Sequence, residues 1–203
     1  MVAGIVLAAG EGSRIGQPKA LLETGATGES FAGRACEVLR AGGVERIVVV
    51  TAPGLVEPVK GLVREAEVVA NPDPARGQLS SLQTALGVLA SADVEAVVVL
   101  PVDVPLVGGS TVRALIETWR RLRPAVVRPS RGATHGHPVV FDWRVLGELA
   151  ALPAGPGAKA LVRRHATDAG DVQIDDEGAF RDIDTEEDYR RAFGKLPRRV
   201  QVR

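Results

Sequence analysis

Five short runs of β-branched and aliphatic residues, at 5–7, 47–51, 68–70, 97–100 and 125–128, alternate with helix-like stretches at 30–41, 56–65, 80–91 and 110–122. This alternation limits the fold more than any other feature of the chain. Continuous apolar runs of strand length suit strands buried on both faces. Helices that connect such strands must lie across the faces of their sheet. The expected fold is therefore α/β, three layers (α/β/α) around a mostly parallel, Rossmann-like sheet. Local signals agree. Ser30 and Ser110 are candidate helix caps, since a hydroxyl can accept a bond from a free first-turn N–H. Gly42-Gly43 is a plausible helix stop. Thr185-Glu186-Glu187-Asp188 has capping-box spacing.

The rhythm changes after Arg128. Residues 129–141 read as a loop or bulged hairpin. Short helices are expected near 142–150 and 157–166, strands at 171–174 and near 180–184, and a last helix over 185–193. A chain of 203 residues suffices for one such domain, expected over 1–194. The basic tail, 195–203, is expected to fray.

Lys plus Arg and Asp plus Glu each number 25, which argues against a protein that coats nucleic acid. The lone cysteine, Cys36, excludes an intramolecular disulfide and reads as a buried inert thiol. The apolar N-terminal strand is too short for a membrane span and lacks a basic flank. The expectation is a cytoplasmic protein with no membrane partner.

In an open parallel sheet, ligands bind beyond the carboxyl ends of the strands. The loop after the first strand, Leu7-Ala8-Ala9-Gly10-Glu11-Gly12-Ser13-Arg14-Ile15-Gly16-Gln17-Pro18-Lys19, carries the strongest chemical signal. Small residues let backbone N–H groups approach phosphate oxygens, and Arg14 and Lys19 bring positive charge. The string is neither a dinucleotide fingerprint, because Ile15 stands at the third glycine, nor a Walker A loop, because Pro18 precedes Lys19 and Ala20 follows it.

Beyond the fourth run stands Asp103, in Pro101-Val102-Asp103-Val104-Pro105. A carboxylate there is a hard ligand for Mg²⁺, though by itself it could equally cap a turn. Asp182 and Asp184, two apart, share a face of an extended segment, and either could complete a metal site with Asp103. Asn71, Gly77, Ser80 and Ser81 open a helix where a nucleotide base could be read, or where they merely cap it. His135 and His137 flank Gly136. Metal ligation by them is disfavoured against a surface turn or a contact to an anionic acceptor made with Arg128 and Arg131. His165 reads as part of a solvated helix face.

These segments together resemble the molybdenum-cofactor cytidylyltransferase-like group of the nucleotidyltransferases, related to the guanylyltransferase of the same pathway. The likeness rests on the signature loop, Asn71 through Ser81, Asp103 through Pro105, Gly136-His137-Pro138 and Asp182-Ile183-Asp184-Thr185. It implies a nucleotide-diphospho-sugar transferase type of fold and transfer of CMP from CTP to the phosphate of a molybdopterin-type cofactor. Mg²⁺ is implied, with Mn²⁺ as a substitute. Leu7, Ala8, Ala9, Gly10, Gly12, Ser13, Arg14 and Lys19 would wrap the triphosphate, with Asn71, Gly77, Ser80 and Ser81 at the base. Lys19, Arg14 and Asp103 would be catalytic, and Asp103, Asp182 and Asp184 the metal candidates. Gly136, His137, Pro138 and Arg128 would face the acceptor. The triphosphate would bind to a half spanning about 1–105 and the acceptor to about 106–194. A molybdoenzyme or accessory protein is the implied macromolecular partner. Ala9 stands where the guanylyltransferase branch has glycine, which favours CTP. Pro156 stands where similar proteins carry aspartate, which leaves the acceptor open. The rival readings are transfer to a sugar or alcohol phosphate, guanylyl transfer in the same pathway, a nicotinamide-dependent oxidoreductase, and a non-catalytic module that delivers a cofactor.

Overall fold

The computed structural model describes residues 1–10, 12–25, 27–90, 92–151 and 157–198. Its centre is built from the apolar runs: β1 (Val2–Ala8), β2 (Arg46–Thr51), β3 (Glu67–Ala70) and β4 (Ala96–Pro101). β1 lies between β2 and β4 in parallel register, with Ile5 opposite Val48 on one side and Val99 on the other. Every residue of β1 and β4 is buried. That burial on both faces is why these runs do not alternate with polar residues.

One face is covered by α1 (Phe31–Ala41), α2 (Val56–Lys60), α4 (Gly109–Leu122) and α7 (Glu186–Phe193), which contribute Phe31, Leu39, Val59, Leu115, Trp119 and Tyr189 to one core cluster. The other is covered by α3 (Gln78–Leu89), α5 (Trp143–Ala151) and α6 (Gly157–His165), with Leu82, Leu149 and Leu161 in a second cluster. The three expected layers are present, and the sheet is mostly parallel.

The second half departs from the expectation. After β5 (Val126–Arg131), a short hairpin through β6 (Thr134–His135) leads to a cis His137–Pro138 bond and then to β7 (Val139–Asp142). β7 is wedged antiparallel between β4 and β5, and all four of its residues are buried. The stretch 129–141 is thus a hairpin plus a central strand. β8 (Asp171–Gln173) joins β5 in parallel, giving the strand order β3-β2-β1-β4-β7-β5-β6 with β8 beside β5. The strand expected near 180–184 is absent. Glu177–Phe180 is a 3-10 turn, and the extended chain beyond it is tied by a bond from Ile183 N–H to Asp103 C=O at 2.8 Å.

Ser30 caps α1, accepting from Gly33 N–H at 3.0 Å, and Thr185 with Asp188 forms the capping box of α7. Ser110 does not cap α4. The N-cap is Gly108, and Asp176 anchors that end of the helix, its carboxylate accepting from Gly108 N–H at 2.8 Å and from Thr111 Oγ1 at 2.7 Å. The helix expected over 56–65 is only five residues long. Cys36 is buried, and burial pushes its thiol up to about 11, so it is no nucleophile at neutral pH. No helix among the described residues is long and apolar enough to cross a membrane. Of the tail, Arg198 C=O accepts from Gln17 Nε2 at 3.0 Å, and 199–203 lie outside the described residues.

Asp142, at the end of β7, is buried and accepts from Trp119 Nε1 at 3.0 Å and from Arg144 Nε at 2.7 Å. Burial would raise its pKa, but the bonds from Arg144 and Trp119 outweigh that and hold it below the ordinary carboxylate range. Because the folded pKa is depressed, this stabilisation is present above the unfolded value and is lost as pH falls through the folded one. Asp142→Ala is expected to cost about 2 kcal/mol at neutral pH, since it leaves the indole N–H without its acceptor. Urea unfolding at pH 7 and pH 3 checks this. The difference between wild type and variant should shrink at the lower pH.

Candidate functional site

The chain leaves β1 at the carboxyl edge of the sheet and turns on Gly12, whose φ is 61°. Gly12 C=O accepts from Ile15 N–H at 3.0 Å and from Gly16 N–H at 2.9 Å. A Cβ on Gly12 would lie 2.2 Å from Gln17 C=O, so the loop closes on itself only with glycine there. Ile15, at the position where a dinucleotide fold has its third glycine, is buried in the core and pins the loop.

A cavity of about 250 Å³ opens above this loop. Leu7, Ala9, Gly10, Gly12, Ser13, Arg14 and Lys19 line it from the loop, Gly77, Gln78 and Ser81 from the start of α3, and Asp103 and Asp184 complete the wall. Lys19 follows Pro18 in a 3-10 turn, and its side chain is only 12% exposed. Its ammonium donates to Asp103 Oδ2 at 2.9 Å and also to Asp184 Oδ1. Arg14 lies 3.5 Å from the other oxygen of Asp184. Burial disfavours the Lys19 charge, but the bond to Asp184 and the charge and bond of Asp103 overcome it, so its pKa stands above the ordinary lysine value. Lys19 therefore stays cationic throughout the neutral range.

The base-side residues divide into two sets. Gly77, with φ of 83°, and Ser81 reach the cavity. Asn71 and Ser80 stand behind it: buried Asn71 donates to Ser80 Oγ at 2.8 Å and to Ser81 Oγ at 3.0 Å, and accepts from Asp73 N–H. They hold the loop in shape. Ala8 is also set back, within β1. Gln78 lines the wall although the sequence offered no reason to single it out.

A second cavity of about 420 Å³ adjoins the first, and the two share Leu7, Gly77, Gln78, Pro101 and Asp103. Its wall is largely apolar, with Val99, Val139, Phe141, Leu79, Leu82 and Val162, and its polar groups include Arg76, His137, Lys159 and Asp182. Burial holds the His137 imidazole below its usual pKa, and Lys159 adds to this against the pull of Asp182 and Asp103. The ring is neutral at pH 7, and its Nδ1 is buried without a hydrogen-bond partner among the described residues. Burial, then the charge of Asp103, raises the Asp182 carboxyl.

Ile183 is fully buried and faces the core, and the flanking Asp182 and Asp184 line the two adjoining cavities. Gly136 packs so closely that a Cβ would meet Ala179 C=O at 2.2 Å. His137 N–H donates to that same carbonyl at 2.7 Å, which aims the histidine. Pro138 and Arg128 line neither cavity. The Arg128 guanidinium is held by Asp171 at 2.6 and 3.2 Å, with His135 on the same carboxylate. His165 pairs with Glu148 at 2.8 Å. Pro156 lies outside the described residues.

Among the described residues no group of three or more His, Cys, Asp or Glu side chains is arranged to hold a cation alone. Asp103 and Asp184 nevertheless offer two hard oxygen ligands on one wall of the loop cavity. That is the donor set Mg²⁺ accepts when substrate phosphates complete its shell, so the residues present fit a cation delivered with a triphosphate.

A sheet edge that carries a glycine-, arginine- and lysine-bearing loop against two carboxylates is built to take phosphates together with a cation, as an NTP transferase must. Residues 4–169 match the MobA-like NTP transferase domain, and the chain belongs to that family. It is 35% identical over 131 residues to a probable molybdenum cofactor guanylyltransferase of Opitutus terrae, a match that spans 64% of this chain and 62% of that relative. It is 29% identical over 198 residues to the nicotine blue oxidoreductase of Paenarthrobacter nicotinovorans, covering 94% and 95% of the two chains. Among solved structures, Mycobacterium tuberculosis Rv0371c superposes with a TM-score of 0.81 at 29% identity over 96% of this chain and 97% of that one. A manganese complex of Rv0371c gives 0.76 at 25% identity, covering 96% and 99%.

Proposed function

We propose that the chain transfers a nucleotide, CMP from CTP by preference, to the phosphate of a molybdopterin-type cofactor and releases pyrophosphate. The observation that carries this reading is the pair of cavities joined at Asp103, one lined by phosphate-binding groups and one largely apolar. In the first, loop amides, Arg14 and Lys19 hold the triphosphate. Lys19 must exchange a carboxylate partner for a phosphate oxygen to do so. In the second, the apolar wall suits a ring system better than a sugar, whose hydroxyls would each need a partner. Ala9, in place of the guanylyltransferase glycine, supports cytosine.

An oxygen of the acceptor phosphate attacks the α-phosphorus in line. A new P–O bond forms as the bond to the β-bridging oxygen breaks, and pyrophosphate leaves with that electron pair. The attacking oxygen is already anionic, so no base is needed; positioning and charge neutralisation supply the rate. Asp103 and Asp184 would hold a divalent cation, Mg²⁺ or Mn²⁺, which supplies further neutralisation of the phosphates. The half spanning about 1–105 would hold the triphosphate and that spanning about 106–194 the acceptor, with Arg76, Leu79, Leu82 and Val99 of the first half also lining the second cavity. A cytoplasmic molybdoenzyme or accessory protein would receive the product.

Pyrophosphate release tests the reading, with Mg²⁺ or Mn²⁺, each of CTP, GTP, ATP and UTP, and molybdopterin or a panel of sugar phosphates. Release with CTP that requires molybdopterin is the expected result. Release with GTP moves the base preference, and release only with a sugar phosphate keeps the chemistry and replaces the acceptor. Nucleotide binding without turnover would leave a non-catalytic delivery module. The near full-length likeness to nicotine blue oxidoreductase makes dye reduction the second reading. NAD(P)H oxidation by a flat aromatic dye, with no pyrophosphate release, would establish it instead.

A further inference from the structure

The two cavities differ in how their charges are matched. In the first, Lys19 and Arg14 are both paired with carboxylates. In the second, Arg76 and Lys159 are not: among the described residues neither side chain has a hydrogen-bond or ion-pair partner. Both are exposed and reach the cavity from separate elements, Arg76 from the turn before Gly77 and Lys159 from α6. Of the two carboxylates on that wall, Asp103 is already bonded to Lys19, which leaves Asp182. Arg128, the cation that the sequence placed at the acceptor, is held by Asp171 outside the cavity.

An anion entering a largely hydrocarbon cavity is stable only if a cation meets it there, because an unpaired charge taken from water loses its hydration with nothing in return. Two unpartnered cations and a largely apolar wall lining one cavity, with residues shared with the triphosphate cavity, describe a site for a phosphorylated molecule with an apolar body. We infer that Lys159 and Arg76 are the anion anchor of the second cavity and position the phosphate of the acceptor beside Asp103. The word acceptor rests on the nucleotidyl-transfer reading; the anion site itself does not.

The probe is pyridoxal 5′-phosphate, a phosphate ester on a flat aromatic ring whose aldehyde forms an imine with an amine. Borohydride fixes the imine, and peptide mapping then scores the four lysines, Lys19, Lys60, Lys159 and Lys195. Lys159 should label roughly tenfold faster than exposed Lys60, the scale of one charge-assisted contact. Inorganic phosphate should protect it, and Arg76→Ala should abolish both the preference and the protection. Equal labelling of Lys159 and Lys60, unaffected by phosphate, overturns the inference. In turnover, Lys159→Ala should raise the acceptor KM roughly tenfold while the triphosphate KM stays within about twofold, with Lys159→Arg restoring most of the loss. An unchanged acceptor KM also overturns it. Preferential labelling without any turnover would keep the anion site and remove the transfer reaction. Turnover with equal labelling would do the reverse.

Discussion

Lys19→Ala should lower turnover on the order of a hundredfold or more, the scale of losing one preorganised electrostatic contact to a transition state. Lys19 is the only described lysine lining the loop cavity, and it stays cationic there because Asp103 and Asp184 outweigh its burial. Charge builds on the leaving pyrophosphate as the α-phosphorus bond breaks, so a fixed ammonium at that wall stabilises the transition state more than the ground state. The loss should therefore fall mainly on kcat, with a smaller rise in the triphosphate KM. Asp103→Ala should lose turnover on the same scale by removing one of the two oxygen ligands available to a cation. Both carboxylates are partly exposed, so their ion pairs with Lys19 are screened and the fold should keep nearly all its stability. Steady-state pyrophosphate release beside a thermal melt separates these effects. A change of less than about threefold in turnover would remove Lys19 from the chemistry, against the hundredfold scale of such contacts.

What the sequence revealed and what it hid have physical causes. The parallel centre was legible because strands buried on both faces must be continuously apolar; the fifth such run, 125–128, is also a strand, but it pairs antiparallel with β7. The signature loop was legible because its glycines and charges stand at offsets set by one short stretch of backbone. β7 was not. Its apolar residues follow the loop-like Gly136-His137-Pro138, and only the pairing of Val140 with Val98 and Val127 makes it a central strand. The anchor at the start of α4 was hidden for a similar reason, since Asp176 arrives from 68 residues away while Ser110 sits nearby in sequence. Arg128 looked available because its neighbours carry no acid. β8 brings Asp171 opposite it, 43 residues later. Arg76 and Gln78 fall within the Asn71–Ser81 stretch and Lys159 ends the Gly155–Lys159 stretch, but nothing in either stretch said that the two meet at one cavity; the turn before Gly77, α3 and α6 bring them there.

The loop glycines allow a sharper test, because Gly10 and Gly12 are glycine for different reasons. Gly12 holds a φ of 61°, and a Cβ there would sit 2.2 Å from Gln17 C=O. Alanine in that conformation costs about 1–2 kcal/mol before any clash. Relieving the clash would move Gln17, and with it Pro18 and Lys19. Gly12→Ala should therefore lower the melting temperature of the free protein and weaken triphosphate binding together. Gly10 has no positive φ, and a Cβ on it would meet nothing within 4 Å. Its glycine has no structural cause in the free protein, so the space it leaves is space for ligand. Gly10→Ala should leave the free protein within about 0.5 kcal/mol of wild type, as surface changes do, yet abolish the rise in melting temperature that the proposed substrate CTP should confer by binding only the folded state. Thermal melts of both variants with and without CTP make the comparison. If Gly10→Ala keeps the full CTP shift, the backbone at Gly10 does not approach the phosphates, and the triphosphate must lie farther along the cavity toward Ser81.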